Sequence, residues 1–396
     1  MVTLTTFANA LKIVYGPLLR EQINIGATPL AQKIEQTERN IVGGSKVVKA
    51  APYGLHGGVG SIAENGQLPI AGSKKHENFE STLKNIAGVI HIGDKAMKAS
   101  KSDKSAFVSV LESETDSLTK SAKLTYARQF YLDGTGNLTA CEDMTGSAST
   151  TVPVANAQYL IEGMIIDIVK SNDGTPLANG SGRRIKAVNR GTTPSIVLEG
   201  ATTVEATTAY CITEQKSYGN EMTGLKQIFA TSGELYGLDK SNYPWLIPHV
   251  NTSTGALSDK IIIDAILDRE NLTGCNIDMI MAHPLVYTAY YDYIESTKSH
   301  VNTLDLQGGF KALSINGRPM AQDRFMPAAT MDLLDTSTFS LHALHDWEWL
   351  DDDGAILKWD TGYLAYKAVL VKYCELICDH PGAQARLSGI TVDVID

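Results

Sequence analysis

A stretch from Lys46 to Gly134 constrains this chain more than any other. It reads as a glycine-punctuated β arm followed by one long helix. The helix has no Pro or Gly from Lys104 to Asp133, and Gly134 follows where a left-handed terminator belongs. Ser102 or Asp103 supplies the short side-chain oxygen that accepts a free first-turn N–H. About 29 helical residues span roughly 44 Å, longer than most globular helices. The apolar stripe of Phe107, Val110, Leu111, Leu118, Ala122 and Phe130 is thin, and Glu114 breaks it. Acids (Asp103, Glu112, Glu114, Asp116) come early and bases (Lys120, Lys123, Arg128) late, as the helix dipole favours. Such a helix rests one face on its own domain and turns the other to solvent or a neighbour. The plain alternative is an ordinary long surface helix.

The arm before it holds Gly54, Gly57, Gly58, Gly60, Gly66, Gly72, Gly88 and Gly93, with short β-type runs between them, such as Leu83 to Ile86 and Val89 to Ile92. A hairpin with so few large apolar residues cannot bury a core of its own. The sequence therefore predicts that it lies on something else, namely another copy of the chain. From Lys46 to Ser100 there are seven lysines against four carboxylates, so the arm carries +3 and the remainder −13 of the net −10. A basic arm on an acidic body suits steered self-association. Lysine also keeps an exposed edge strand soluble, and the two roles are compatible.

The net charge argues against a duplex binder working through a large basic face. No run of about 18 apolar residues is present, so no transmembrane helix is expected, and Met1-Val2-Thr3-Leu4 begins no secretory signal. Five cysteines (Cys141, Cys211, Cys275, Cys374, Cys378) form no paired framework and suit reduced thiols in a cytoplasm.

Residues 1–45 read as an N-terminal extension, with a helical pattern through Leu4, Phe7, Ala8, Leu11 and Val14 and an end at Gly43-Gly44. After the long helix, residues 135–215 change character: short β runs and the turns Asn172-Asp173-Gly174 and Asn179-Gly180 predict a small β-barrel or sandwich inserted into a host fold. From Gly224 the host resumes. Ser258 caps a helix with Ile261, Ile262, Ala265 and Ile266 inward; Asn276 to Met281 is a buried strand; His283-Pro284 opens a second helix; and Asn316-Gly317 is a turn. Tyr366 to Cys378 alternates, with Ala368, Leu370, Lys372, Cys374, Leu376 and Cys378 on one face.

Catalytic and metal signatures are weak. His342 and His345 with Asp346 have helical ligand spacing, but the segment reads as strand and turn and lacks a third ligand. Cys374 and Cys378 with His380 have no zinc spacing. Leu55-His56-Gly57-Gly58-Val59-Gly60 lacks the Lys-Ser/Thr ending of a phosphate loop. No cofactor is expected. The acidic run Asp346, Glu348, Asp351, Asp352 and Asp353 lacks calcium-loop spacing. It reads either as a solvated turn or as a landing site for Lys74, Lys75 or Lys84 of a neighbour.

The order of parts resembles the major capsid protein of tailed double-stranded DNA bacteriophages, the Hong Kong 97 type capsid fold. Asn65-Gly66-Gln67-Leu68-Pro69, Thr82 to Ile86 and Ile92 to Ala96 resemble its extended E-loop, and Lys104 to Asp133 its spine helix. Ile315 to Met320, Asp323-Arg324-Phe325, Asp346 to Trp349 and Val371 to Leu376 resemble its late axial and peripheral strands. The resemblance implies an α+β capsid fold divided into an N-terminal arm (1–45), E-loop (46–100), spine helix (101–134), inserted β domain (135–215), peripheral domain (216–250), axial domain (251–345) and peripheral C-terminal strands (346–396). It also implies a non-enzymatic subunit assembling with itself into hexamers and pentamers of an icosahedral shell around double-stranded DNA. Separate scaffold and portal proteins and a decoration protein are the implied partners, with the virion and, during assembly, the host cytoplasm as location. Some members cross-link through Lys and Asn; no residue here is assigned to that. An encapsulin-type nanocompartment shares the fold, and a soluble metal-dependent enzyme using the His342/His345 region is the alternative of another class. A jelly roll does not suit so long a helix.

Overall fold

The computed structural model describes residues 23–24, 27–53, 58–70, 75–95, 104–144, 148–297, 303–305, 311–351 and 356–392. The expected helical pattern in residues 1–22, the cap at Ser102 or Asp103, and Lys74, Asp352 and Asp353 lie outside them.

A short helix α1 (Pro29–Lys33), capped by Thr28, leads to β1 (Glu35–Thr37) and β2 (Ile41–Val42). Gly43 and Gly44 both take positive φ in the turn that follows. Strands β3 (Lys46–Tyr53) and β4 (Lys75–Thr82) then form an antiparallel hairpin of eight residue pairs, from Lys46 opposite Thr82 to Tyr53 opposite Lys75. One residue later, β5 (Lys84–Gly93) leaves the hairpin and pairs along ten residues with the late strand Ala365–Cys378. The arm expected over 46–100 is therefore a hairpin over 46–82, while 84–93 belongs to the body. The reason lies in the pattern: Ile86, Ile90 and Ile92 alternate with exposed residues and bury one face, which a free arm does not need.

The long helix α2 (Lys104–Gln129) packs across β5 at Gly88, where a Cβ would stand 2.6 Å from Leu118 Cδ1. Its buried row is Thr115, Thr119, Ala122 and Tyr126, and its last turn, Tyr126 to Gln129, is enclosed on all sides. The helix ends four residues before the expected Asp133. The Phe130 carbonyl turns away to accept Leu225 N at 2.7 Å, and Gly134 makes its positive-φ turn outside the helix.

Six strands follow: β6 (Asn137–Ala140), β7 (Thr151–Pro153), β8 (Ile165–Lys170), β9 (Arg183–Asn189), β10 (Ser195–Leu198) and β11 (Tyr210–Glu214). Their order is β6-β11-β8-β9-β10-β7. The ring closes where Cys141 bridges Val154 and Ala155 N donates to Ala140 O at 3.0 Å. Closure leaves no free edge. Leu138, Val152, Ile166, Ile168, Ile185, Ile196, Leu198 and Ile212 fill a core separate from the host's. Entry strand β6 and exit strand β11 are neighbours, so the chain leaves the barrel where it entered.

The host resumes with α3 (Leu225–Ile228), β12 (Glu234–Leu235), β13 (Leu238–Asp239) and β14 (His249–Asn251). Helix α4 (Asp259–Thr273) is capped by Ser258, whose oxygen accepts Ile261 N, and ends at Gly274 in the left-handed region. Then come β15 (Met279–Ala282), α5 (Pro284–Thr297), β16 (Thr303–Asp305), β17 (Lys311–Ile315), β18 (Arg318–Gln322) and β19 (Met331–Leu334). Asn316 and Gly317 carry positive φ in the turn between β17 and β18. A second sheet is completed by β20 (Phe339–Trp349), β21 (Lys358–Trp359) and β22 (Ala365–Cys378); β23 (Ala385–Leu387) returns to the first. The seven-stranded order is β14-β23-β19-β15-β18-β17-β16, and the other sheet runs β1-β20-β22-β21 with β5 on β22. The boundary expected at 345/346 falls inside one strand: β20 lies wholly in the β22 sheet, whereas β23 joins the seven-stranded sheet, where Arg386 pairs with buried Asp332 at 2.6 and 2.7 Å.

Candidate inter-subunit surfaces

The hairpin divides into a bound root and a bare tip. At the root Tyr53 stacks on Trp245 (5.9 Å), and Phe79 packs on Trp245 (5.8 Å) and Tyr236 (5.3 Å). Tyr236 O also accepts Glu80 N at 2.9 Å, and Lys49 pairs with Asp379 at 2.6 Å. Most of the arm is therefore ordered by its own body, not by another copy as the sequence suggested. Phe79, Val47 and Ala51 are enough apolar surface to anchor one face. The tip, 58–70, has no such cover. Val59 is 87%, Ile62 50%, Leu68 76% and Ile70 91% exposed. Four large apolar side chains in one protruding segment mark an interaction site.

The expected Lys-to-acid pairing surface is partly occupied within the chain. Lys84 Nζ donates to Gly219 O at 2.8 Å. Asp346 accepts from Lys372 Nζ at 3.0 Å and from Asn24 Nδ2 at 2.9 Å, and its carboxylate also takes Trp347 N. Burial would raise the Asp346 carboxyl, but the Lys372 ammonium and the Asn24 amide outweigh it and hold it below the ordinary aspartate value. Asp346 is thus an internal partner. Lys75 is exposed at the end of β4, Glu348 is half-buried on β20, and Asp351 is half-buried just beyond that strand.

Lys372 was visible in the sequence as the odd member of an apolar row. It is fully buried, donates also to Asn24 Oδ1 (3.1 Å) and Gln36 Oε1 (3.3 Å), and lies over the rings of Tyr126 (4.9 Å) and Trp347 (5.9 Å). Three acceptors satisfy its three protons and tie the N-terminal arm to β22. Three residues further along β22, Glu375 is also fully buried. One carboxylate oxygen accepts Ser81 Oγ (3.1 Å) and Thr223 N (3.2 Å), while the other has no partner. Burial pushes its pKa up to about 7, against those two bonds and the charge of Lys84.

His342 is buried on β20, its ring bonded to Ser340 Oγ and Arg39 O, and burial lowers its pKa. His345 lies beyond a bulge on the same strand, away from it. Among the described residues no three His, Cys, Asp or Glu side chains converge as metal ligands.

No family model and no curated protein matches the chain. Solved structures do. The cyanophage A-1(L) capsid subunit superposes with a TM-score of 0.54 at 12% identity, covering 97% of this chain and 95% of that one. The fold is that of a phage capsid subunit. The satellite phage P4 procapsid (TM-score 0.47, 10% identity, 95% and 99% covered) and the SrpI encapsulin of Synechococcus elongatus (0.46, 10%, 93% and 91%) are more distant.

Proposed function

We propose that this protein is the major shell subunit of a tailed bacteriophage, assembling with itself into hexamers and pentamers of an icosahedral capsid that encloses double-stranded DNA. One observation supports the reading beyond fold likeness: the hairpin tip leaves Val59, Ile62, Leu68 and Ile70 bare to solvent, an apolar surface of the kind that another subunit covers. Lys75, Glu348 and Asp351 are the remaining described members of the expected charge-pairing surface. The barrel is read as an insertion into the host. Scaffold, portal and decoration proteins follow from the same reading, as does a place in the virion after assembly in the host cytoplasm.

Electron microscopy of the purified protein tests the proposal. Closed icosahedral shells are expected, and particles isolated from producing cells should hold nuclease-resistant duplex DNA. A stable monomer of 42.7 kDa at all concentrations refutes the shell; shells packed with protein cargo in place of DNA refute the phage assignment.

A further inference from the structure

The barrel is fastened to the rest of the chain at more places than its two ends. Entry strand β6 and exit strand β11 are neighbours, so the chain alone would hang the barrel from one point beside the end of α2. A domain held at one point is free to swing. Side chains remove that freedom. Arg128, buried in the last turn of α2, donates to Glu214 Oε1 at the end of β11 (2.8 Å) and to Glu221 Oε1 (2.5 Å), and Thr125 Oγ1 donates to the same Glu214 oxygen at 3.0 Å. Away from that joint, the loop between β7 and β8 reaches the turn that follows β18. Gln158 Nε2 donates to Arg324 O and to Met326 O, each at 2.7 Å, and Tyr159 OH donates to Phe325 O at 3.1 Å. Two consecutive side chains thus hold three consecutive main-chain carbonyls. The Tyr159 ring packs against both the barrel core and the host core.

A third joint closes the figure. Tyr131, buried just beyond α2, donates to Asp323 Oδ2 at 3.0 Å. Asp323 Oδ1 accepts Phe325 N at 2.9 Å, and Asp323 N donates to Ala282 O of β15 at 3.0 Å, so the captured turn moves with the seven-stranded sheet. Helix α2, sheet and barrel are therefore joined pairwise: α2 to the sheet by Tyr131 and Asp323, α2 to the barrel by Arg128, and the barrel to the sheet by Gln158 and Tyr159. A single joint such as Tyr131 to Asp323 permits rotation about itself, and the apolar packing beside it is non-directional and permits sliding. Three joined sides form a triangle, whose angles are set. We infer that the barrel is a brace that fixes the angle between α2 and the seven-stranded sheet and, in a shell, the curvature at which subunits meet. Repeated contacts close into a shell of one size only when every subunit presents its surfaces at a defined angle. Curvature control rests on the shell reading; the fixed angle is a property of the single subunit.

The test uses the full-length double variant Gln158→Ala with Tyr159→Phe, which removes the three bonds to the 324–326 carbonyls and keeps the packed ring. Spin-labelled amino acids replace the exposed Lys120 of α2 and the exposed Lys260 of α4, a helix packed on the sheet through Ile262 and Ile266. In dissociated subunits their distance distribution reports the angle, and the double variant should widen it about twofold. A lower melting temperature with an unwidened distribution marks plain stabilisation and overturns the inference. If the double variant does not fold, Tyr159→Phe alone, which loses one bond and no apolar contact, decides by the same width. In electron micrographs the unsubstituted protein should give shells of one diameter, and the double variant several diameters or unclosed shells. Variant shells of the one unchanged diameter overturn curvature control. Absence of shells from the unsubstituted protein overturns the shell reading, and the label distances then still decide whether the barrel is a brace.

Discussion

Glu375→Gln should stabilise the subunit at alkaline pH and do nothing in acid. The glutamine amide oxygen can accept both Ser81 Oγ and Thr223 N, as the carboxylate does. Its NH2 takes the place of the oxygen that has no partner. What changes is the charge. Burial first, opposed by Thr223, Ser81 and Lys84, raises the carboxyl from 4.5 to about 7. The folded state therefore holds the proton more tightly than the unfolded chain. The stabilisation this gives is complete below pH 4.5 and is lost as the pH rises to about 7. A shift of roughly 2.5 units at about 1.4 kcal/mol each makes the loss about 3 kcal/mol. Urea unfolding of dissociated subunits, followed by tryptophan fluorescence, reads it directly. The variant should gain about 3 kcal/mol at about pH 8, nothing at about pH 4, and show a flatter slope between. A residual slope belongs to Glu221, also raised by burial to about 7, and to Asp323, raised to about 6. An equal effect at both pH values, or no gain at the higher, would refute the argument that a buried charge strains the hairpin root.

Lys372→Ala should cost about 3 kcal/mol, because Asp346 and the Tyr126 ring lose their cation and the buried stem is lost as well; Lys372→Met, which restores the stem but not the charge, should recover only the packing share in the same assay. Gly88→Val drives a side chain into Leu118 and should cost about 2 kcal/mol, with Leu118→Ala recovering part of it in a double-mutant cycle. Phe79→Ala should cost about 3 kcal/mol and raise proteolysis within 46–82, since its ring fills the space between Tyr236 and Trp245. The closed barrel, expressed alone as 134–219, should give a β-type circular dichroism spectrum and a cooperative melt.

Local signals in the sequence carried far, and non-local ones did not. Ser258 as a cap, Gly134, Asn179 and Asn316-Gly317 as positive-φ turns, and the buried face of 368–378 depend on neighbours within a few residues. The destination of 84–93 depends on a strand nearly 300 residues away, so its alternation could be seen but its partner could not. The early end of α2 has the same origin, because the Phe130 carbonyl is claimed by Leu225 from beyond the barrel. Among the surface candidates, charge was the louder signal in sequence, yet Asp346 and Lys84 turned inward to Lys372 and Gly219. The quieter signal, four apolar residues within a glycine-rich tip, is what the structure leaves exposed. Composition hides it, since the same residues would be unremarked in a core.

Backbone hydrogen exchange, compared between assembled particles and dissociated subunits, tests most directly whether these limbs are completed by other copies. Residues 58–70 should exchange rapidly in the subunit and become strongly protected in the particle, while the barrel core stays equally protected in both. Equal exchange of the tip in the two states would contradict the account.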